Sequence, residues 1–281
     1  MKLVDVHAHL DHARFDKDLD KVVERFIEAG GEVLVSSGVN PKTNRKCLEF
    51  AKKYDVVRVA FGVYPTDALA AEAKSGEADG FRGLEEFDTL SGHENLQAGI
   101  DEELEWIEEH RDDCVAVGEI GLDYNWKEFQ TEEMREKQKE IFRKCLKAAK
   151  KIDKCVVIHS RKAEADVIDI LEEEKMGKVV MHCFNGKKAL IRRCIENGWS
   201  FSVPAVITRL NHFEMLVGMV PLELLLTETD APYLSPVVGT RNESANVLVT
   251  LKEIARIKGL DVEEVGEKIF ENASRLLNFK K

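Results

Sequence analysis

The chain has 281 residues, and 41 Lys and Arg against 52 Asp and Glu give it a formal net charge of −11. That balance excludes a protein that grips duplex nucleic acid over a broad basic face, because phosphate binding needs a surplus of Lys and Arg. It leaves room for one small phosphate site, and no apolar run approaches the roughly 18 residues that span a bilayer.

Residues 3–7 read as a strand, and the chain turns polar there, too early for a signal peptide. A helix follows, with Leu19, Val22, Val23, Phe26 and Ile27 on one face and Gly30-Gly31 closing it. Further apolar strand-like runs fall at 32–36, 56–61, 114–118, 155–158, 178–182, 199–203 and 224–227, which makes eight. Helical patterns separate most of them, the clearest carrying Met134, Ile141, Phe142, Cys145, Leu146 and Ala149. Unbroken apolar strands suit a parallel sheet buried on both faces. An open doubly wound sheet would carry a Gly-rich phosphate turn after its first strand. Here His7-Ala8-His9 stands in that place, so the expected fold is an α/β (β/α)8 TIM barrel.

Ala, Gly, Ser and acidic residues dominate about 67–100, which reads as an insertion: a lid, an ornament or a mobile surface loop. Helices are expected at 243–258 and 261–270, the second capped by Asp261 with Glu264. Without repeats or linkers, a single domain over 1–281 is the simplest account. The six cysteines form no CxxC pair and sit mostly in apolar runs, as expected of reduced thiols in a cytoplasmic protein. Nothing in the residues sets an oligomeric state.

Four of the eight histidines fall at ends of expected strands: His7, His9, His159 and His182. Strand four ends in Glu119, and strand eight runs into Glu228-Thr229-Asp230. In a barrel these ends meet on one face, where active sites are built. His7 and His9, two apart on a strand, point to the same side and can hold one ion. Buried Glu119 and Asp230 would be costly without a cation. Four imidazoles and two carboxylates exceed the needs of one tetrahedral ion. The excess argues for two divalent metals, with Glu119 between them. His12, His93, His110 and His212 read as surface residues.

At these positions the chain resembles the TatD family of metal-dependent deoxyribonucleases, in the amidohydrolase superfamily. The matching pieces are Asp5-Val6-His7-Ala8-His9-Leu10, Gly118-Glu119-Ile120-Gly121-Leu122-Asp123-Tyr124, Ile158-His159-Ser160-Arg161, His182-Cys183-Phe184-Asn185-Gly186 and Glu228-Thr229-Asp230-Ala231-Pro232-Tyr233-Leu234. Arg241-Asn242-Glu243 and Asn272 are lesser matches. The resemblance implies a dinuclear site, with His7, His9 and Asp230 on one metal, Glu119 bridging, and His159 and His182 completing the second. It also implies Mg-dependent nuclease activity, although the ligand set equally accepts Mn or Zn. There are departures. Tyr64 replaces a family His that contacts the scissile phosphate or supports the site. The 67–100 segment is long for the family, and Ser244 replaces a Pro.

The expected chemistry is two-metal hydrolysis, with Asp230 as general base. Arg161 either clamps a phosphate or holds a carboxylate. Asp123 and Glu228 orient ligating histidines, and Asp5 either does the same or faces a helix N-terminus. The leading substrate is a DNA end or single-stranded DNA, cut 3′→5′. The alternatives are a small-molecule amide, lactone or phosphoester hydrolase, and a non-enzymatic metal-binding scaffold.

Overall fold

In a computed structural model, the described residues are 2–68, 99–126 and 131–279. Eight strands pair in parallel in chain order: β1 (Leu3–Ala8), β2 (Gly31–Ser37), β3 (Val57–Phe61), β4 (Ala116–Asp123), β5 (Cys155–Arg161), β6 (Val179–His182), β7 (Ser200–Pro204) and β8 (Leu225–Glu228). Around them lie α1 (Leu19–Glu28), α2 (Pro41–Lys53), α3 (Ile100–Glu109), α4 (Glu132–Lys151), α5 (Glu164–Glu173), α6 (Lys188–Glu196), α7 (Asn211–Met219), α8 (Val247–Lys258) and α9 (Val262–Leu277).

The ring closes between β8 and β1. The Asp230 N–H donates to the His7 carbonyl at 2.9 Å, and the His9 N–H donates to the Ala231 carbonyl at 2.7 Å. The Thr227 hydroxyl reaches the Val4 carbonyl one layer below. Barrel closure therefore fixes the backbones of three residues singled out by their chemistry. This is the (β/α)8 barrel expected from the strand count.

Local chemistry explains the elements. Every residue of β1 and β4 is buried, as their unbroken runs require when helices cover the outside. α4 buries Ile141, Phe142, Cys145, Leu146 and Ala149 at helical spacing. α2 starts at Asn40, whose side chain takes the Thr43 N–H while Thr43 Oγ1 takes the Asn40 N–H, with Pro41 in the first turn. Asp261 caps α9 through the Glu263 and Glu264 amides.

Several bounds differ from expectation. The fourth strand is Ala116–Asp123 rather than 114–118, and the fifth continues to Arg161. Acids and glycines interrupt the apolar run after Gly118, so hydropathy suggests a loop. Ladder pairing of Ile120 with Ile158, Gly121 with His159 and Leu122 with Ser160 instead extends both strands together. The register slips between Val117 and Ile120, and Glu119 sits in that slip, inside the strand rather than at its end. The helix expected at 243–258 begins at Val247 after a turn at Ser244–Asn246, and its successor runs to Leu277 rather than 270. Most of the expected insertion, residues 69–98, lies outside the described residues, as does His93. All six cysteines are free, with Cys183 alone partly exposed. Among the described residues no helix is long and apolar enough to cross a membrane.

Candidate active site

The barrel brings six side chains together toward the C-terminal side of its strands. His7 Nε2 and His9 Nε2 lie 3.2 Å apart, so the alternation of a strand does place both imidazoles on one side. Asp230 Oδ1 stands 3.6 Å from His7 Nε2 and 3.3 Å from His9 Nε2. Glu119 Oε2 faces the same pair at 3.5 and 3.6 Å. Its other oxygen, Oε1, lies 2.7 Å from His159 Nδ1 and 3.8 Å from His182 Nε2. Three groups of potential ligands result, His7–His9–Asp230, Glu119–His159–His182 and His7–His182–Glu228, each with its donor atoms within 4.8 Å of one another.

Each imidazole is held on its outer side. Ser37 serves two of them: its hydroxyl meets His7 Nδ1 at 3.1 Å and its carbonyl meets His9 Nδ1 at 3.2 Å. Glu228 Oε2 lies 2.7 Å from His182 Nδ1. Asp123 Oδ2 lies 3.2 Å from His159 Nε2. One nitrogen of every ring is thus fixed by the protein while the other faces the centre, as in histidines that bind metal. The orienting acids are themselves tied. Glu228 accepts from the Cys183 N–H at 3.0 Å and the Ser202 hydroxyl at 2.5 Å. Gln138 clamps the Asp123 backbone through bonds of 2.8 and 3.0 Å.

Electrostatics match this arrangement. Burial works against ionised Glu119 and Asp230, but the surrounding imidazoles outweigh it and hold both well below the carboxylate range. Burial likewise opposes charge on the histidines, yet the carboxylates raise His9 and His159 to about 9 and His182 to about 10. His7 is pulled down, first by burial and then by His182, whose ring stacks on it at 3.8 Å. So dense a buried set of bases and acids is costly unless a cation or shared protons balance it. Four imidazoles and two carboxylates, in contact with no lysine or arginine among the described residues, form a donor set that fits divalent metals.

The remaining expected residues divide. Tyr64 points inward: its hydroxyl lies 3.1 Å from Asp123 Oδ2 and 3.2 Å from His159 Nε2. Burial first, then Glu119 and Asp123, push that hydroxyl well above its ordinary pKa, so it remains a neutral donor. Asp5 accepts from the Thr229 hydroxyl at 2.6 Å and the Thr229 N–H at 3.0 Å, which fixes the residue before Asp230, and from the His7 N–H at 3.3 Å. Burial raises Asp5 to about 7. Arg161 is exposed and makes no side-chain hydrogen bond or ion pair among the described residues. His12, His110 and His212 lie outside the six-residue centre and are half-buried rather than free on the surface. His110 stacks on Trp106 and His212 bonds the Phe184 carbonyl. Sequence reasoning missed Ser37 and Gln138, and it gave no role to Asn242, whose buried amide donates to the Thr229 carbonyl at 2.8 Å.

Comparison with known proteins places the chain among relatives. The family model described as TatD related DNase matches residues 4–278. Human deoxyribonuclease TATDN3 is 32% identical over 275 residues, covering 98% of this chain and 94% of the relative. The metal-dependent hydrolase YabD of Bacillus subtilis is 32% identical over 282 residues, covering 98% of both chains. Among solved structures, YJJV, a TatD homologue from Escherichia coli, superposes with a TM-score of 0.80 at 23% identity, covering 99% of this chain and 98% of that one.

Proposed function

The chain belongs to the TatD related DNase family, and from that membership we propose a deoxyribonuclease that cuts single-stranded DNA ends in the 3′→5′ direction. It is a metal-dependent hydrolase acting on phosphoester bonds. The observation that supports metal-dependent hydrolysis is the six-residue centre, in which every imidazole turns one nitrogen inward and anchors the other on a protein partner.

Two divalent ions, magnesium, manganese or zinc, would polarise the phosphoryl oxygens and lower the pKa of water. His7, His9 and Asp230 would hold one, and His159 and His182 the other. Glu119 is suited to bridge them because its two oxygens face different histidine pairs. Asp230 Oδ1 faces His7 and His9, which leaves Oδ2 to take the proton of the attacking water. Glu228 and Asp123 hold His182 and His159 in position. Tyr64 donates to Asp123, so it supports the site rather than reaching for phosphate. Arg161, unpaired by any described carboxylate, is free to clamp a substrate phosphate. The whole chain, 1–281, is proposed to act as one domain, insertion included.

The test is digestion of end-labelled single-stranded DNA by metal-stripped protein resupplied with Mg²⁺, Mn²⁺ or Zn²⁺. A ladder that shortens from the 3′ end and vanishes in Asp230→Ala is expected. No cleavage with any metal, alongside turnover of lactones or simple phosphoesters, would overturn the assignment.

A further inference from the structure

An acidic chain has little charge with which to hold a polyanion. A DNA hydrolase with a net charge of −11 needs another source of affinity beside its metals. The six exposed large hydrophobic residues among those described are not spread evenly. Leu210, Tyr233, Val237 and Val238 all lie on the connections that follow β7 and β8 at the active face, with Tyr233 45% exposed. The Arg209 guanidinium ties these two connections by donating to the Ser235 carbonyl at 2.8 Å.

Tyr233 is the member next to the chemistry. Its N–H donates to the Asp230 carbonyl at 2.8 Å, which anchors its backbone to the proposed base. Its ring centroid lies 6.2 Å from that of His9 and 5.5 Å from that of His12, edge-on to both. Those contacts brace the ring, and nearly half of the residue's surface stays exposed. Arg14, exposed and in no ion pair with a described residue, is held beside this pair by its N–H, which donates to His12 Nδ1 at 3.0 Å. An exposed aromatic ring beside an unpaired guanidinium is the pairing that single-stranded nucleic acid meets in its binding proteins. Stacking is tolerant of sequence, and the cation takes a flanking phosphate.

We propose that Tyr233 is a stacking platform for the unpaired nucleobase next to the scissile phosphate, with Arg14 facing the neighbouring phosphate. The inference rests on the nuclease assignment and adds to it a reason for single-strand preference: a paired base has no face to offer. The hydroxyl is not required, since the ring supplies the contact.

The experiment compares kcat/KM on a single-stranded oligonucleotide with that on the same strand carrying an abasic terminal nucleotide. Wild type, Tyr233→Ala and Tyr233→Phe are used, each with its metal content measured. Removing the base from the strand, or the ring from the protein, is expected to cost roughly 10-fold. The two losses should not add, they should fall mainly on KM, and Tyr233→Phe should keep the discrimination between strands. Additive losses, or equal losses on both strands, would overturn the proposal. Should wild type cut neither strand, the nuclease assignment fails by itself. The platform is then judged by fluorescence of a terminal 2-aminopurine on the metal-loaded protein. Quenching that disappears in Tyr233→Ala supports it, and quenching that is absent or unchanged contradicts it.

Discussion

The Tyr64 hydroxyl stands 3.2 Å from His159 Nε2, on the side of the imidazole away from Glu119. Together with Asp123 it closes a triad that leaves His159 Nδ1 facing the centre. Tyr64→Phe removes one donor from Asp123 and loosens that ring. Loss of such an orienting partner typically costs 10–100-fold in metal affinity. Titration of metal-stripped Tyr64→Phe is expected to show a weakened second ion and an unaltered first. An equal weakening of both would point to general damage instead.

Glu228 is fully buried, and its two oxygens receive three donors, from His182, Cys183 and Ser202. In Glu228→Gln the amide must set its own N–H groups against one of those donors. The expected outcome is a loss of metal affinity on the order of 10–100-fold, with a lower melting temperature. Dye-monitored melting with and without Mn²⁺ checks both, since the stabilisation by added metal should shrink with the affinity.

Gly62 follows β3 and packs against the Glu119 backbone. A Cβ there would sit 2.2 Å from the Gly38 carbonyl oxygen and 2.3 Å from the Glu119 nitrogen, both of them backbone. Gly62→Ala is therefore expected to destabilise by about 1–3 kcal/mol and to displace Glu119. A Cβ on Gly177 would meet no atom within 4 Å, so Gly177→Ala serves as a neutral control. Urea unfolding of the two variants, with metal content measured, separates them.

Protonation competes with metal at this site. With no metal bound, the carboxylates keep His9 and His159 protonated up to about pH 9 and His182 up to about 10. Each must give up its proton to become a ligand, so metal uptake at neutral pH should release protons. Affinity should rise with pH up to about 9 or 10 and flatten beyond. Calorimetry in buffers of different ionisation enthalpy measures the release. A buffer-independent heat at pH 7 would contradict it.

Much of this was legible in the chain itself. Strand order could be read because each apolar run stands alone between helical patterns, and all six central residues mark where a run ends or lie within three residues beyond it. Glu119 was recognised but sited at a strand end. Local hydropathy cannot show that β4 continues through Asp123 by pairing with β5. Ser37 left no signal, because a serine closing an apolar strand is ordinary and its histidine partner is 30 residues away. The same holds for Tyr64, whose partners lie 59 and 95 residues along the chain. Its identity was visible, and its orientation depended on tertiary packing.

The central claim is that Glu119 joins two ions held by the four histidines and Asp230. The most direct measurement is electron paramagnetic resonance of metal-stripped protein titrated with Mn²⁺, wild type beside Glu119→Gln. The account predicts two ions per chain with an exchange-coupled spectrum that is lost in Glu119→Gln. A single ion at saturation, or two with the spectrum of isolated Mn²⁺, would contradict it.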